Sequence, residues 1–228
     1  MDSYTISFEN MRIDNLFEPG NTIAWKYLTN LAWAWEAIPL IESYVETLID
    51  ELDASEYYIH PNNVWIHKTA VIAPSSFIGS NVIIGEGTEV RHCAFIRNNA
   101  IIGCDAVVGN STELKNVILF DRVQVPHYNY VGDSILGYKS HFGAGVITSN
   151  VKSDSTLVSV TCGDKRLETG LKKFGAILGD MVEVGCNAVL NPGTVIGTKT
   201  NIYPLSMVRG FVPSNSIYKK QGEVAFKR

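Results

Sequence analysis

Branched aliphatic residues fall on every sixth position at Ile66, Ile72, Ile78, Ile84, Val90, Ile96, Ile102, Val108 and Leu114, a beat that neither an amphipathic helix nor an alternating strand produces. It resumes at Leu178, Val184, Leu190, Ile196, Ile202 and Val208. Between these blocks the steps from Leu114 to Leu119 and from Val131 to Leu136 shorten to five residues, while those through Val125, Phe142 and Thr148 stay at six. Glycine often follows the aliphatic, as at Gly79, Gly85 and Gly103, and a small residue often stands four places after it, as at Ala70, Ala94 and Ala188. Three short strands then make one triangular coil of roughly eighteen residues, with aliphatics in a shared lumen and glycines at crowded corners. The pattern predicts a mainly β chain, a hexapeptide-repeat parallel β-helix over residues 63–213.

Outside the beat the chain divides further. Residues 1–21 are polar and read as an extended N-terminal arm ending at the turn Pro19-Gly20-Asn21. Residues 22–62 read as a short helical, linker-like segment. Trp25, Leu28, Leu31, Ala32 and Trp35 recur at helical spacing, and beyond Pro39 a second face is formed by Ile41, Tyr44, Val45, Leu48 and Leu52. The tryptophans either pack on the end of the solenoid or form a ligand box, and their helical spacing favours packing. Residues 151–175 are a polar excursion with no six-residue beat, and residues 214–228 read as a C-terminal tail whose last part is basic.

A chain of 228 residues with 46% hydrophobic content has enough apolar material for a continuous core. Its net charge of −4 argues against a nucleic-acid binder. Cys93, Cys104, Cys162 and Cys186 show no C-x-x-C spacing, so neither a zinc site nor a disulfide framework is predicted, and a reducing compartment is expected. The most apolar stretch, residues 31–41, is short and broken by Glu36 and Pro39, and residues 1–10 hold no apolar run. The expectation is a soluble, cytoplasmic protein with no membrane or nucleic-acid partner.

Positions eighteen apart in an unbroken beat occupy one edge of successive coils, roughly 4.8 Å apart. Arg97 and Lys115 are so placed, with no acid in their column. They are either two solvated cations or a clamp for a phosphate. His92 and His127 stand two coils apart, but two histidines fall short of the three protein ligands a catalytic metal takes, so no metal is expected. His60, His67 and His92 read as surface residues. His127 lies in the polar, aromatic run at residues 125–134, where a near-neutral imidazole suits removal of a proton from an amine.

Residues 97–150, followed by the run at residues 173–180, resemble the acetyltransferase domain of the bifunctional glucosamine-1-phosphate acetyltransferase/N-acetylglucosamine-1-phosphate uridylyltransferases. They also resemble the C-terminal domain of archaeal sugar-1-phosphate nucleotidylyltransferases that acetylate amino-sugar phosphates. The resemblance covers about residues 63–213 and rests on His127, Tyr130, Gly132 and Asp133, with the later Gly143-Ala144-Gly145. It implies a left-handed helix, with Arg97 and Lys115 holding a sugar phosphate and His127 as catalytic base. It also implies Glu113 as the acid polarising that base, Tyr130 and Asn150 on the sugar, and Ala144, Cys186 and Pro204 along an acetyl-CoA groove. His141 stands where bacterial members place a sugar-binding asparagine, Val151 follows Asn150 where they have tyrosine, and Cys186 replaces a serine. Their sugar-binding lysine, aligned back from Gly179-Asp180, is Lys173, with Lys172 as the neighbouring choice.

The resemblance further implies a homotrimer with sites between subunits, and the flat faces of a solenoid favour such association. The first sixty residues show no glycine-rich nucleotide loop followed by lysine, so nucleotidyl transfer is not expected; a separate nucleotidyltransferase would then be a partner. The expected activity is acetyl transfer from acetyl-CoA to an amino-sugar 1-phosphate. Against it stand a non-catalytic scaffold that binds a sugar phosphate or nucleotide-sugar, and an acyltransferase acting on an amino-sugar nucleotide.

Overall fold

The computed structural model describes residues 7–220 and 222–227. Strands of successive coils pair in parallel, so that Ile84, Ile102, Leu119, Leu136, Leu178 and Ile196 stack along one wall. The stacked lumen aliphatics are buried, and only near the first coil do Ile72 and Ile78 remain partly open. Each five-residue step shortens a coil, and the ladder absorbs one of them as a register irregularity between Ile96 and Ala100. No helix among the described residues is long and apolar enough to cross a membrane.

The three walls differ in what covers them. On the first wall the aliphatics come in pairs: Ile83 with Ile84, Ile101 with Ile102, Ile118 with Leu119, Ile135 with Leu136, Ile177 with Leu178 and Val195 with Ile196. Successive strand residues point to opposite faces, so one of each pair faces outward, yet all are fully buried. The cover over Ile83, Ile101, Ile118 and Ile135 is the N-terminal segment. It contains α1 (Ile13–Leu16), α2 (Trp25–Leu28), a 3-10 turn (Ala34–Leu40) and α3 (Ile41–Ile49). α3 lies across the strands Phe77–Ile84, Phe95–Ile102 and Glu113–Leu119, and the 3-10 turn lies on Tyr130–Leu136. Burial of each outward aliphatic contributes about 1.5–3 kcal/mol.

Four sequence expectations change here. The helical segment packs along a side wall instead of the end of the solenoid, because that wall is apolar on both faces. The expected continuous helix through Trp25 and Trp35 is broken after Leu28, and Trp35 stacks between Trp33 and Phe174 in a packing role. The arm is docked: Met11, Ile13, Leu16 and Phe17 are buried, and backbone bonds join Leu16 to Asp180 and Asn21 to Asp121. Residues 1–6 of that arm lie outside the described residues. In the expected tail, Ser216–Lys220 pairs in parallel with Asn201–Ile202 and turns back as a hairpin with Glu223–Phe226, so coiling runs past residue 213.

The second wall carries Glu89, Gln124, His141, Glu183 and Asn201 on its outer face. The third is only about two residues wide and stacks Phe77, Phe95, Glu113, Tyr130, Ile147, Val189 and Met207. The excursion leaves after Asn150 and returns at Phe174, whose N–H donates to the Asn150 carbonyl at 3.0 Å. Inside it, Ser159–Cys162 and Lys165–Glu168 form an antiparallel hairpin with Val158 and Val160 buried.

Candidate active site

The narrow third wall has a polar group on each edge. Along the edge shared with the first wall, left-handed corner residues Asn63, Asn81, Asn99, Asn116 and Asp133 form a column, at φ values from 47° to 57° tolerated best by Asn, Asp and Gly. Side-chain amides link Asn63 to Asn81 and Asn81 to Asn99. The column ends at Asp133, a carboxylate 3% exposed that accepts from Lys115 at 3.1 Å, from Asn116 at 2.9 Å and from Asn150. Arg97 pairs with Glu113 at 3.2 Å. Tyr130 lies opposite Glu113 in the ladder, and its hydroxyl bends over Gly132, where an added Cβ would sit 2.6 Å from it. Burial, then the nearby Asp133 and Glu113 carboxylates, push the Tyr130 phenol up, while Arg97 and Asn150 oppose this.

Thus Arg97, Glu113, Lys115, Tyr130 and Asn150 are brought together, and Asp133 joins them at the centre. Both cations have acid partners, supplied by the adjacent columns, which reasoning confined to their own column misses. Asp133 had been only a letter in the motif; its signal was the polar corner series that precedes it. Exposed Lys173 immediately precedes Phe174, which bonds to Asn150, so it belongs to this edge despite the long excursion. Lys172 is exposed beside it.

The other edge of the third wall carries His127. The register aligns His92, Asn110 and His127, and ladder bonds continue the column: Gly145 N–H to the His127 carbonyl at 3.0 Å, Asn187 N–H to Ala144 at 2.8 Å and Leu205 N–H to Cys186 at 2.9 Å. His127, Ala144, Cys186 and Pro204 therefore climb one edge, roughly 4.8 Å per coil. The His127 ring is exposed. Within one chain the Glu113 carboxylate, expected to polarise it, pairs instead with Arg97 on the third wall at 3.2 Å. His141 does not join the cluster within one chain either. It lies on the second wall, hydrogen-bonded to Glu183 at 2.9 Å beside a shallow surface lined by Asp105, Arg122 and Lys139. Among the described residues no group of three metal-ligating side chains gathers.

A model of the family described as the GMPPB C-terminal domain matches residues 86–202, just over half of the chain and most of the solenoid. The protein belongs to this family. Among its relatives is a "Bifunctional protein GlmU" of Methanococcus maripaludis, 32% identical over 205 residues, covering 89% of this chain and 50% of that protein. A "Bifunctional sugar-1-phosphate nucleotidylyltransferase/acetyltransferase" of Sulfurisphaera tokodaii is 35% identical over 109 residues, covering 48% of this chain and 27% of that one. The chain spans about half the length of the first of these relatives. A solved structure of a "putative acetyltransferase" of Bacillus cereus aligns at 18% identity and a TM-score of 0.42, over 75% of this chain and 83% of that one.

Proposed function

We propose that the protein is an N-acetyltransferase that moves the acetyl group of acetyl-CoA to the amine of an amino-sugar 1-phosphate. What carries this reading is the third wall, with the Arg97, Lys115, Tyr130 and Asn150 cluster on one edge and His127, at the foot of the Ala144, Cys186 and Pro204 column, on the other. A relative named as a bifunctional sugar-1-phosphate nucleotidylyltransferase/acetyltransferase supports it. The sugar phosphate docks against Arg97 and Lys115, exchanging part of their carboxylate pairing for phosphate oxygens, while Tyr130, Asn150 and Lys173 orient the ring. The acyl donor runs along the opposite column.

The amine nitrogen attacks the thioester carbonyl as His127 takes one amine proton. The tetrahedral adduct collapses, the C–S bond breaks, and the imidazolium returns the proton to the leaving thiolate. The Gly145 N–H is held by the His127 carbonyl, so the Ala144 N–H is the corner donor left for the oxyanion. In this reading the protein is a homotrimer with sites between subunits, and His141 reaches the sugar from a neighbouring chain.

The deciding experiment is thiol release from acetyl-CoA with glucosamine-1-phosphate and galactosamine-1-phosphate. His127→Ala should lower kcat on the order of 100-fold or more, with a much smaller change in acceptor KM. No turnover with either acceptor in a folded protein would sink the reading. The internal pairing of both cations favours a second one, a solenoid that binds a sugar phosphate without transferring to it; acceptor binding with no thiol release would support that alternative.

A further inference from the structure

Between the excursion hairpin and the solenoid lies a cleft of about 390 Å³ that the transfer reaction does not use. Its solenoid side is built by Ser149, Asn191 and Arg209, which follow the stacked positions Thr148, Leu190 and Val208 on three successive coils. They continue the edge that carries Arg97 and Lys115, with Ser149 two coils, or roughly 10 Å, beyond Lys115. The opposite side comes from the excursion: Lys152, Thr161 and Arg166.

The hairpin is seated rather than loose. Gly193 and Gly210 have φ of +80° and +74°, and a Cβ on them would fall 2.6 Å from the Ser159 carbonyl and 2.2 Å from the Thr161 hydroxyl. The two positions accept no side chain because the hairpin lies directly on them, so the cleft is preformed.

Its charge opposes that of the whole. Three cations, Lys152, Arg166 and Arg209, meet one lining acid, Asp154, in a protein of net charge −4. Asp154 is already engaged by Lys152 at 3.5 Å and by the Thr156 backbone at 3.0 Å. Arg166 contacts Glu168 through Nε at 2.8 Å. Arg209 is exposed and has no ion pair or side-chain hydrogen bond among the described residues. Two guanidinium forks thus face one polar cleft from opposite walls, with hydroxyl donors between them and more room than a single phosphate fills.

We infer that this cleft is a second anion site, which holds the diphosphate of a nucleotide. The inference does not depend on the transfer reaction. The acyl donor lies along the opposite column, so on this edge the source with that chemistry is a nucleotide-sugar, and the test checks it.

Calorimetric titration of the full chain with inorganic pyrophosphate should show binding that Arg209→Gln weakens about tenfold, the loss of one charge-assisted contact. Arg166→Gln should act similarly, while Lys115→Met should change it less than about twofold. Competition then tests the source: displacement by UDP supports a nucleotide-sugar, and displacement by coenzyme A but not by UDP overturns that source. Absence of pyrophosphate binding at millimolar concentration overturns the inference. So does binding lost on Lys115→Met but retained in both arginine variants, which would place the anion at the lower cluster.

Discussion

Asp133 shows how much one side chain organises. Buried beneath the third wall, its carboxylate fixes the Lys115 ammonium, the Asn116 amide and Asn150 together. Lys115 keeps 19% of its side-chain exposure, so removing the charge does not leave a fully desolvated cation, and the penalty is smaller than for a sealed pair. Asp133→Asn should destabilise the fold by about 1–3 kcal/mol in urea unfolding, the range for unsatisfied buried polar groups. It should also raise acceptor KM, because Lys115 and Asn150 lose their common anchor. Unchanged stability together with unchanged KM would show that the network is ornamental.

Among the elements, the N-terminal segment depends on a similar acid. Asp180 accepts backbone N–H groups from Glu18 in the segment and from Tyr138 in the coil below, both at 2.8 Å, and burial pushes its pKa up to about 6. The folded protein then holds a proton on Asp180 between about pH 4 and 6 that the unfolded chain has released. Over that window stability falls as pH rises, and above it this contribution is flat. Asp180→Asn should abolish that slope in urea titrations from pH 4.5 to 7; parallel curves for the two proteins would mean that the carboxyl is not perturbed.

The elements also show what the sequence makes legible. The six-residue beat marks the coils because lumen packing imposes it directly, and the five-residue slips are real shortenings of single coils. The site edge carrying Arg97 and Lys115 follows from spacing alone. The docking of residues 7–21 and of α3 on the first wall was written in the paired aliphatics at Ile83, Ile101, Ile118 and Ile135, whose outward members had to be covered. That signal was masked by the stronger beat of their neighbours. Likewise the pairing of Arg97 with Glu113 crosses columns and depends on side-chain reach, which a register argument does not contain.

For the molecule as a whole, the third wall and its corner leave large apolar side chains in the open: Tyr128, Ile147, Leu205 and Met207 are exposed, Leu205 by 79%. An apolar strip on a stiff prism is suited to burial against further copies of the same chain. In the trimeric reading, sedimentation equilibrium should give three times the chain mass, and Met207→Glu should shift the population toward monomer while the far-ultraviolet circular dichroism is kept. A wild-type protein that sediments as a monomer would refute the trimer and, with it, the role of His141 from a neighbour.

The excursion exits and re-enters the solenoid within a single rung, closed by the hydrogen bond from Phe174 to Asn150. The rung therefore closes whatever the length of chain spooled out there, while Gly193 and Gly210 on the following rungs are fitted to the hairpin it carries. Loop length carries little entropic penalty once its ends are clamped together. The gap between those two residues is accordingly a docking bay in which the lineage can exchange whole appendages, and with them ligand preference, while every rung keeps its place.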